Sequence, residues 1–515
     1  MSVIAALKGE LRKLFEIQDI KWEPLAKVFA AAALFFCLLV VFISPWKVLA
    51  FFLSMALLAV VYKRPTWMLA FLAVFIPIEP FFLKFVPDEL YIFAKYFSEV
   101  LIYLLLGLTF VKRYLAGEKR EATQLDLPFA LLVIVIVASA VSNFVDPGVA
   151  ILGSRQIVRF MLLFFAVVLI SPTREFMRKL ITLMLGLVLF ESLLGILQAA
   201  TLGALDAFLL PSERRVYDSI QLTGGTEQFW APGQRVFGTL GRYDQLGLFL
   251  CFFMLLLTGW FYEIKKGKWH RYFFTLFTVG SIALILTYSR ASWFGFLLGF
   301  LYIAVRIKKD KKILAGFLAT VAIIASYAVW SGVVVRYLTD LPEQTILARL
   351  LEAFSYERYR GEYFGYGRVY WFVNTPLVVV PASPLFGHGP GSYGGGAAAV
   401  LANTSVYDKL GLPFGVYGTE GYIDNNWFSL WGEIGTLGLA LCVWMFVILF
   451  RAAGTVYRES KDPLMRGMAL GYMGATLAFA LQALLGTYLE VRTISLYFWL
   501  FGAMLVVAGR REKLL

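Results

Sequence analysis

The chain has 515 residues, of which 60% are hydrophobic and only 16% are charged, and its mean hydropathy is +0.74. A soluble domain must cover its core with polar surface, so this composition excludes a soluble globular protein and indicates an integral membrane protein. The net charge of +13 would suit a nucleic-acid-binding protein, but most lysines and arginines flank apolar segments, where they indicate membrane topology instead.

Apolar segments of about 20 residues, the length with which an α-helix crosses a bilayer, recur along the whole chain. They exclude the alternating pattern of an outer-membrane barrel and predict an all-α polytopic membrane protein with roughly 14 transmembrane helices. The predicted spans lie near residues 25–44, 46–62, 66–83, 91–111, 127–143, 156–170, 176–200, 244–262, 272–287, 292–305, 313–330, 427–450, 465–485 and 493–508.

Residues 1–24 combine basic side chains with apolar residues at helical spacing, which predicts a cytoplasmic interfacial helix. Transmembrane helices 1–7 are expected within 25–200 and helices 8–11 within 244–330. Helices 12–14 and a cytoplasmic tail are expected within 427–515.

Basic residues mark every second connection, for example Lys63-Arg64, Lys112-Arg113 and Arg510-Arg511. By the positive-inside rule both termini lie in the cytoplasm. Two long connections, 201–243 and 331–426, are then predicted to be extracytoplasmic loops. They contain most of the polar residues that the membrane topology does not account for.

The second long loop contains an apolar stripe at i, i+3, i+4 and i+7, formed by Leu347, Leu350, Leu351 and Phe354. This spacing predicts an amphipathic helix that lies flat over the bundle and acts as a lid.

Three arginines fall on the outer side, against the general charge distribution: Arg235, Arg290 and Arg368. A guanidinium presents a fork of donors that suits a polyanion such as a pyrophosphate. Two simpler interpretations stay open. The segment from Arg235 through Arg242 to Asp244, taken alone, is more typical of a loop with interfacial anchors, and Arg290 can either snorkel to headgroups or face the bundle interior.

Two further segments carry possible chemistry. The glycine-rich run 387–391 can present backbone amides to phosphate or form a re-entrant loop, and it lacks the strand and crossover helix of a dinucleotide fold. Asp424 and Asn425 precede an apolar run that contains Glu433, so they are expected to cap a helix. A carboxylate at that outer helix end is also a place for a general base.

Four motifs in order resemble the O-antigen ligase and polymerase superfamily over roughly residues 150–450. They are Arg-x-x-Gly-Thr at 235–239, Ser-Arg at 289–290, Arg-x-x-Trp at 368–371 followed by Gly-x-Gly-Pro-Gly, and a polar motif before Glu-x-Gly-x-x-Gly at 433–438. The resemblance implies a multi-span helical fold and an undecaprenyl-diphosphate-linked glycan donor, used on the outer face of the bacterial inner membrane. It implies no nucleotide sugar, metal or other cofactor.

The resemblance implies pyrophosphate binding by Arg235, Arg290 and Arg368. Residues that would support the site are Arg242, Asp244, Asn425 and Glu433. Ligases of this superfamily typically begin the last motif with His-Asn, whereas this chain has Asp424, which the resemblance makes the general base. His388 is the spare candidate for that role.

The expected function is therefore transfer of a lipid-linked glycan to a glycan or lipid-linked glycan acceptor, with polymerisation of repeat units as the first choice. The alternatives are a ligase acting on a lipid A core or another acceptor, and a flippase for lipid-linked oligosaccharides. A flippase should carry charge through both leaflets, whereas the notable arginines here lie at outer span ends. Membrane lipids are expected partners and nucleic acid is not.

Overall fold

The computed structural model describes residues 57–118, 121–211, 216–217, 220–221, 233–264, 267–332 and 345–515. The predicted interfacial segment 1–24, the predicted span 25–44 and most of the span 46–62 lie outside these residues. The described strands form one antiparallel pair, β1 (Val216–Tyr217) and β2 (Ile220–Gln221).

The α-helices described over their whole length follow in chain order. They are α1 (Pro65–Leu83), α2 (Asp88–Leu115), α3 (Asp126–Ser142), α4 (Pro147–Ile170), α5 (Arg174–Ala200), α6 (Asp206–Leu209), α7 (Tyr243–Glu263), α8 (Lys268–Leu286), α9 (Arg290–Leu301), α10 (Lys311–Trp330), α11 (Ile346–Leu351), α12 (Tyr356–Phe364), α13 (Arg368–Asn374), α14 (Val380–Ala382), α15 (Gly396–Val400), α16 (Ser405–Leu410), α17 (Asn426–Glu459), α18 (Pro463–Leu484) and α19 (Arg492–Arg511). Short 3₁₀ turns lie at Gly238–Leu240, Glu352–Phe354, Val416–Gly418 and Tyr488–Glu490, and π-helical turns at Tyr302–Ile307 and Thr375–Val379.

Among the described residues, 11 helices are long and apolar enough to cross a membrane, and α3 is a shorter apolar helix. Each predicted span from 66–83 onward coincides with one of these helices. The prediction of an all-α polytopic membrane protein is confirmed at this level. The total of roughly 14 spans and the orientation of the termini stay predictions.

The centre of the bundle is formed by α7, α18 and α19. In α19, 94% of the most apolar stretch is buried inside the protein. Small residues let two of these helices approach closely. A Cβ added to Gly259 of α7 would lie 2.2 Å from the carbonyl oxygen of Gly467 in α18. Dispersion contacts between closely approaching backbones are a main source of helix association where water cannot drive it.

Helix α17 is interrupted at Gly435, whose φ of 68° only glycine adopts without strain. The carbonyl oxygen of Leu385 lies 2.2 Å from where a Cβ of Gly435 would be, and the amide of Thr436 donates to the carbonyl of Pro384 at 2.9 Å. The glycine-rich segment therefore re-enters the bundle and completes the backbone hydrogen bonding of the interrupted helix.

Charged residues from four predicted cytoplasmic connections meet at the end of the bundle away from the long loops. Arg178 pairs with Asp462 at 2.8 Å, Arg466 pairs with Glu263 at 3.0 Å, and Arg174 pairs with Glu512. Their convergence is in keeping with a single shared side, as the alternation of charge in the sequence predicts.

Candidate functional site

Six arginines gather at the opposite end of the bundle, where the two long loops lie. We call them the arginine cluster: Arg235, Arg242, Arg290, Arg349, Arg358 and Arg368. The carboxylates among them are Asp244, Glu352, Glu362 and Asp424. Six guanidinium groups against four carboxylates leave an excess of two positive charges, so the site favours an anionic ligand.

The first loop is anchored to the bundle by two buried side chains of α5. Glu191 accepts hydrogen bonds from the amide of Thr239, at 3.1 Å, and from its hydroxyl group. The side-chain oxygen of Gln198 accepts hydrogen bonds from the amides of the two residues before Thr239. The Arg-x-x-Gly-Thr motif is thereby fixed in place, and Arg235 and Arg242 lie on either side of the anchored segment.

Arg235 and Arg242 differ in whether a carboxylate neutralises their charge. The guanidinium of Arg235 lies 4.3 Å from the ring centroid of Tyr243, and no carboxylate of the described residues lies within ion-pair distance of it. Arg242 instead donates to both oxygens of Asp244, at 3.1 and 3.0 Å. Arg235 is consequently the arginine of the cluster most open to an added anion.

Arg290 faces the protein interior. It follows the tight turn between α8 and α9, its side chain is 15% exposed, and its Nη1 lies 2.9 Å from Oε2 of Glu352. Glu352 is 3% exposed and also binds Arg349, at 2.8 Å, and Arg358. One buried carboxylate thus holds three arginines, which joins the second long loop to α9.

The ion pairs continue from Arg358 towards α17. Arg358 lies 3.4 Å from Glu362, and Glu362 accepts the backbone amide of Arg368 at 2.9 Å. The Nε and Nη2 atoms of Arg368 both donate to one carboxylate oxygen of Asp424, at 3.0 and 2.8 Å. The charge of Asp424 raises the pKa of Arg368 further above its usual range. The predicted phosphate-binding arginine and the predicted base are therefore bonded to each other.

Asp424 and Asn425 have separate roles. Asn425 caps α17, because its side chain accepts the amide of Phe428 at 3.1 Å. Asp424 has a φ of 52° and does not cap the helix. The capping function predicted for this pair belongs to Asn425, which leaves the carboxylate of Asp424 to Arg368.

His388 lies apart from the arginine cluster in the re-entrant segment. It is 6% exposed, its Nε2 is 2.9 Å from the carbonyl oxygen of Val379, and burial lowers the pKa of its imidazole. A neutral imidazole donates its Nε2 proton to that carbonyl, so this nitrogen is engaged in packing the segment.

The glycine-rich segment uses its amides within the protein. The amides of His388 and Gly389 donate to the carbonyls of Gly432 and Glu433, both at 2.8 Å, and the amide of Gly391 donates to the Glu433 carboxylate at 3.1 Å. These amides are not open to a phosphate. Of the two interpretations of this segment, the re-entrant loop agrees with the structure, and Glu433 acts there as an acceptor.

The predicted apolar lid helix forms only in part. Leu351 of α11 packs against α10, whereas Leu347 and Phe354 are 47% and 46% exposed. The segment is held by the ion pairs of Glu352 more than by an apolar face, and ion pairs between distant parts of the chain leave no hydrophobic period in the sequence.

Tyr488 links the two ends of the site and was not singled out by the sequence motifs. It is 8% exposed, and burial together with the charge of Asp244 raises the pKa of its hydroxyl. Arg242, Arg368 and Asp424 are further charged neighbours of this hydroxyl. The sequence analysis also did not identify four members of the ion-pair network, Arg349, Glu352, Arg358 and Glu362. The feature of the sequence that could have indicated them is the high density of arginine and glutamate in the second long loop.

Glu490 joins several elements beside the site. Its carboxylate accepts the amide of Gly396 at 2.9 Å, the side chain of Asn426 at 3.2 Å and the side chain of Gln156. Burial raises the pKa of Glu490 to about 7. A Cβ added to Gly395 would lie 3.1 Å from a carboxylate oxygen of Glu490 and 3.2 Å from one of Glu433, so the two carboxyl groups lie close together.

We expect the stability of the protein to fall as the pH rises through about 7, the folded-state pKa of Glu490. An acid whose pKa is raised by folding binds its proton more tightly in the folded state, and this contribution is lost when the group ionises. Thermal midpoints measured from pH 5 to 8 should decline in the parent. Glu490→Gln should flatten that slope, and Glu357→Gln, at an exposed glutamate, should not.

Among the described residues, no group of three or more histidine, cysteine or carboxylate side chains is placed to hold a metal ion. No protein-family model matches the chain, and no curated protein matches it. The arrangement of the arginine cluster around Asp424 is therefore the basis on which a function has to be argued.

Proposed function

We propose that this protein is a membrane glycosyltransferase that moves a glycan from undecaprenyl diphosphate to a glycan acceptor. The reaction would occur on the extracytoplasmic side of a bacterial inner membrane, and polymerisation of polysaccharide repeat units is the specific form proposed. The observation that carries the proposal is the Arg368–Asp424 pair, in which a guanidinium and a carboxylate are hydrogen-bonded to each other inside a cluster of six arginines.

The diphosphate of the donor would bind to the arginine cluster. Arg235 has no carboxylate partner among the described residues, and Arg368 presents two donors on one edge of its guanidinium. Charge-assisted bonds from such forks strengthen as negative charge builds on the leaving diphosphate, which is the condition for lowering the barrier. Arg290 would add a third charge, held in place by Glu352.

Asp424 would act as the general base. The acceptor hydroxyl oxygen bonds to the anomeric carbon of the donor sugar, the bond from that carbon to the diphosphate oxygen breaks, and the hydroxyl proton passes to Asp424. In the free protein the carboxylate is occupied by Arg368. When the diphosphate draws Arg368 away, the carboxylate becomes free to accept the proton, so donor binding would prepare the base.

Asp424 at the position of the ligase histidine favours a polymerase over a ligase. The placement of the arginines favours transfer over transport, because all six lie at one end of the bundle. A flippase would need comparable groups along the path across the membrane.

The direct test uses the purified protein in lipid nanodiscs with an undecaprenyl-diphosphate-linked oligosaccharide. The proposal expects longer lipid-linked glycans and an equivalent amount of released undecaprenyl diphosphate, with no nucleotide sugar or ATP added. In sealed vesicles, movement of intact donor between leaflets without release of undecaprenyl diphosphate would instead establish a flippase.

We expect Arg368→Lys to lower transfer by roughly 10–10²-fold even though the charge is kept, because an ammonium cannot replace two donors held in one plane. Arg360→Lys is the matched control, since Arg360 is 58% exposed and its nearest acid is Glu357 at 3.7 Å. Initial rates of undecaprenyl diphosphate release measure both. Parental rates for folded Arg368→Lys would mean that Arg368 serves only to hold Asp424.

A further inference from the structure

Three residues other than glycine adopt left-handed backbone conformations around Arg368. They are Tyr366, Tyr417 and Asp424, with φ angles of 58°, 57° and 52°. Such conformations are strained for residues with a Cβ and persist where the surrounding structure imposes them, most often at functional sites. Asp424 is already part of the proposed chemistry, but the two tyrosines have no part in it.

The backbones of the two tyrosines are bonded to each other. The amide of Tyr417 donates to the carbonyl of Tyr366 at 3.2 Å. The ring of Tyr366 meets Tyr370 edge-on with centroids 5.1 Å apart, and Tyr370 meets the fully buried Trp371 in the same way at 5.2 Å. The pair therefore stands on a packed aromatic base rather than on a loose loop.

The rings themselves are exposed in spite of this support. Tyr366 is 44% exposed and Tyr417 is 64% exposed. Tyr366 precedes Arg368 by two residues, and the charged neighbours of the Tyr417 hydroxyl include Glu362, Arg368 and Asp424. Two accessible tyrosines, whose backbones are bonded to each other, thus border the Arg368–Asp424 pair.

We propose that Tyr366 and Tyr417 form a carbohydrate-binding subsite that stacks a pyranose ring of the glycan beside Asp424. One face of a pyranose carries C–H bonds that pack on an aromatic ring, while its hydroxyl groups reach polar neighbours such as the tyrosine hydroxyls. This inference rests on the proposed function and assigns the glycan side of the same site.

Tyrosines also gather at membrane interfaces, where they meet lipid headgroups. That function needs neither a strained backbone nor a place beside an ion pair, and both features are present here. A glycan held next to the reacting hydroxyl benefits from rings fixed in position, because stacking then orients the sugar as well as binding it.

The test compares Tyr417→Phe, Tyr417→Ala and Tyr417→Gly in nanodiscs, with Tyr356→Ala as a control at another exposed tyrosine of the same loop. We expect the KM for the acceptor to rise by roughly 10-fold or more in the Ala and Gly variants, and to stay within about 2-fold in the Phe variant and the control. Binding of sugar-free undecaprenyl diphosphate should be unchanged in all. Tyr417→Gly should also raise the thermal midpoint, because glycine is not strained at this φ.

A second measurement separates the subsite from the proposed reaction. The free oligosaccharide, released from the lipid-linked donor by mild acid, is tested by saturation-transfer NMR with the parent and each variant. A signal lost only in Tyr417→Ala and Tyr417→Gly supports the subsite even if no transfer is found. An unchanged signal and KM in Tyr417→Ala overturn it, as does a defect confined to association with anionic vesicles, which would make the rings membrane anchors.

Discussion

Asp424→Asn is expected to lower glycan transfer by about 10²–10⁴-fold, the usual contribution of a general base. An amide cannot take up the proton of the acceptor hydroxyl, whereas the carboxylate of Asp424 can once Arg368 has turned to the diphosphate. The measurement is the turnover rate at saturating donor, followed as released undecaprenyl diphosphate. We expect this to be the largest single-residue loss of activity in the site.

The substitution isolates the chemical role because it leaves the local structure almost unchanged. Asn425, not Asp424, caps α17. Asparagine also tolerates the left-handed backbone found at this position, φ 52°, better than other residues with a Cβ. The thermal midpoint of Asp424→Asn should therefore stay close to that of the parent.

Binding of undecaprenyl diphosphate distinguishes a base from a residue that only orients Arg368. If Asp424 is the base, the variant should bind this ligand as tightly as the parent or more tightly, because Arg368 is released. If transfer and binding fall together, Asp424 acts through Arg368. Should Asp424→Asn remain fully active while His388→Gln is inactive, the base is His388. If both stay active, neither residue removes a proton.

The helices could be predicted from the sequence because each buries its backbone polar groups internally and needs only a sufficient apolar length. The predicted span 244–262 is realised as Tyr243–Glu263. The largest difference at a helix start is in α4, predicted from 156 but beginning at Pro147. Its first turns contain Arg155, which pairs with Glu99 of α2 at 3.1 Å. A span can contain charged side chains when these pair with residues of another helix. Such residues lower the local hydropathy, so the span looks shorter in the sequence than it is in the structure.

Members of the arginine cluster and Asp424 could be predicted where a residue departs from the pattern expected at its place in the sequence. Arg290 stands out as a cation at a predicted outer span end and Arg368 as a cation in a predicted outer loop, and Asp424 stands out against the pattern of the superfamily that the motifs resemble. Glu352 and Arg358 do not, because acids and bases a few residues apart are ordinary on a solvated helix. Their burial depends on the contact between Glu352 and Arg290, which lies far away in the sequence, so it becomes visible only in the folded structure.

Glu352→Gln is expected to destabilise the second long loop by about 3–5 kcal/mol, the usual result of removing one member of a buried ion pair. The reason is that Arg290, Arg349 and Arg358 all pair with this 3% exposed carboxylate. Trypsin should then cleave the loop between α11 and α13 much faster than in the parent, and the thermal midpoint should fall.

Glu357→Gln is the matched control, because Glu357 is 39% exposed and lies 3.7 Å from the exposed Arg360. Such surface pairs contribute about 0–1 kcal/mol, so cleavage should hardly change. Adding Arg349→Gln to Glu352→Gln tests whether charge is the cause. If excess positive charge destabilises the loop, the double variant should resist trypsin better than Glu352→Gln alone. If the double variant is cleaved still faster, the loop depends on the shape and hydrogen bonds of these side chains, and Glu352 is not the charge that holds the arginine cluster together.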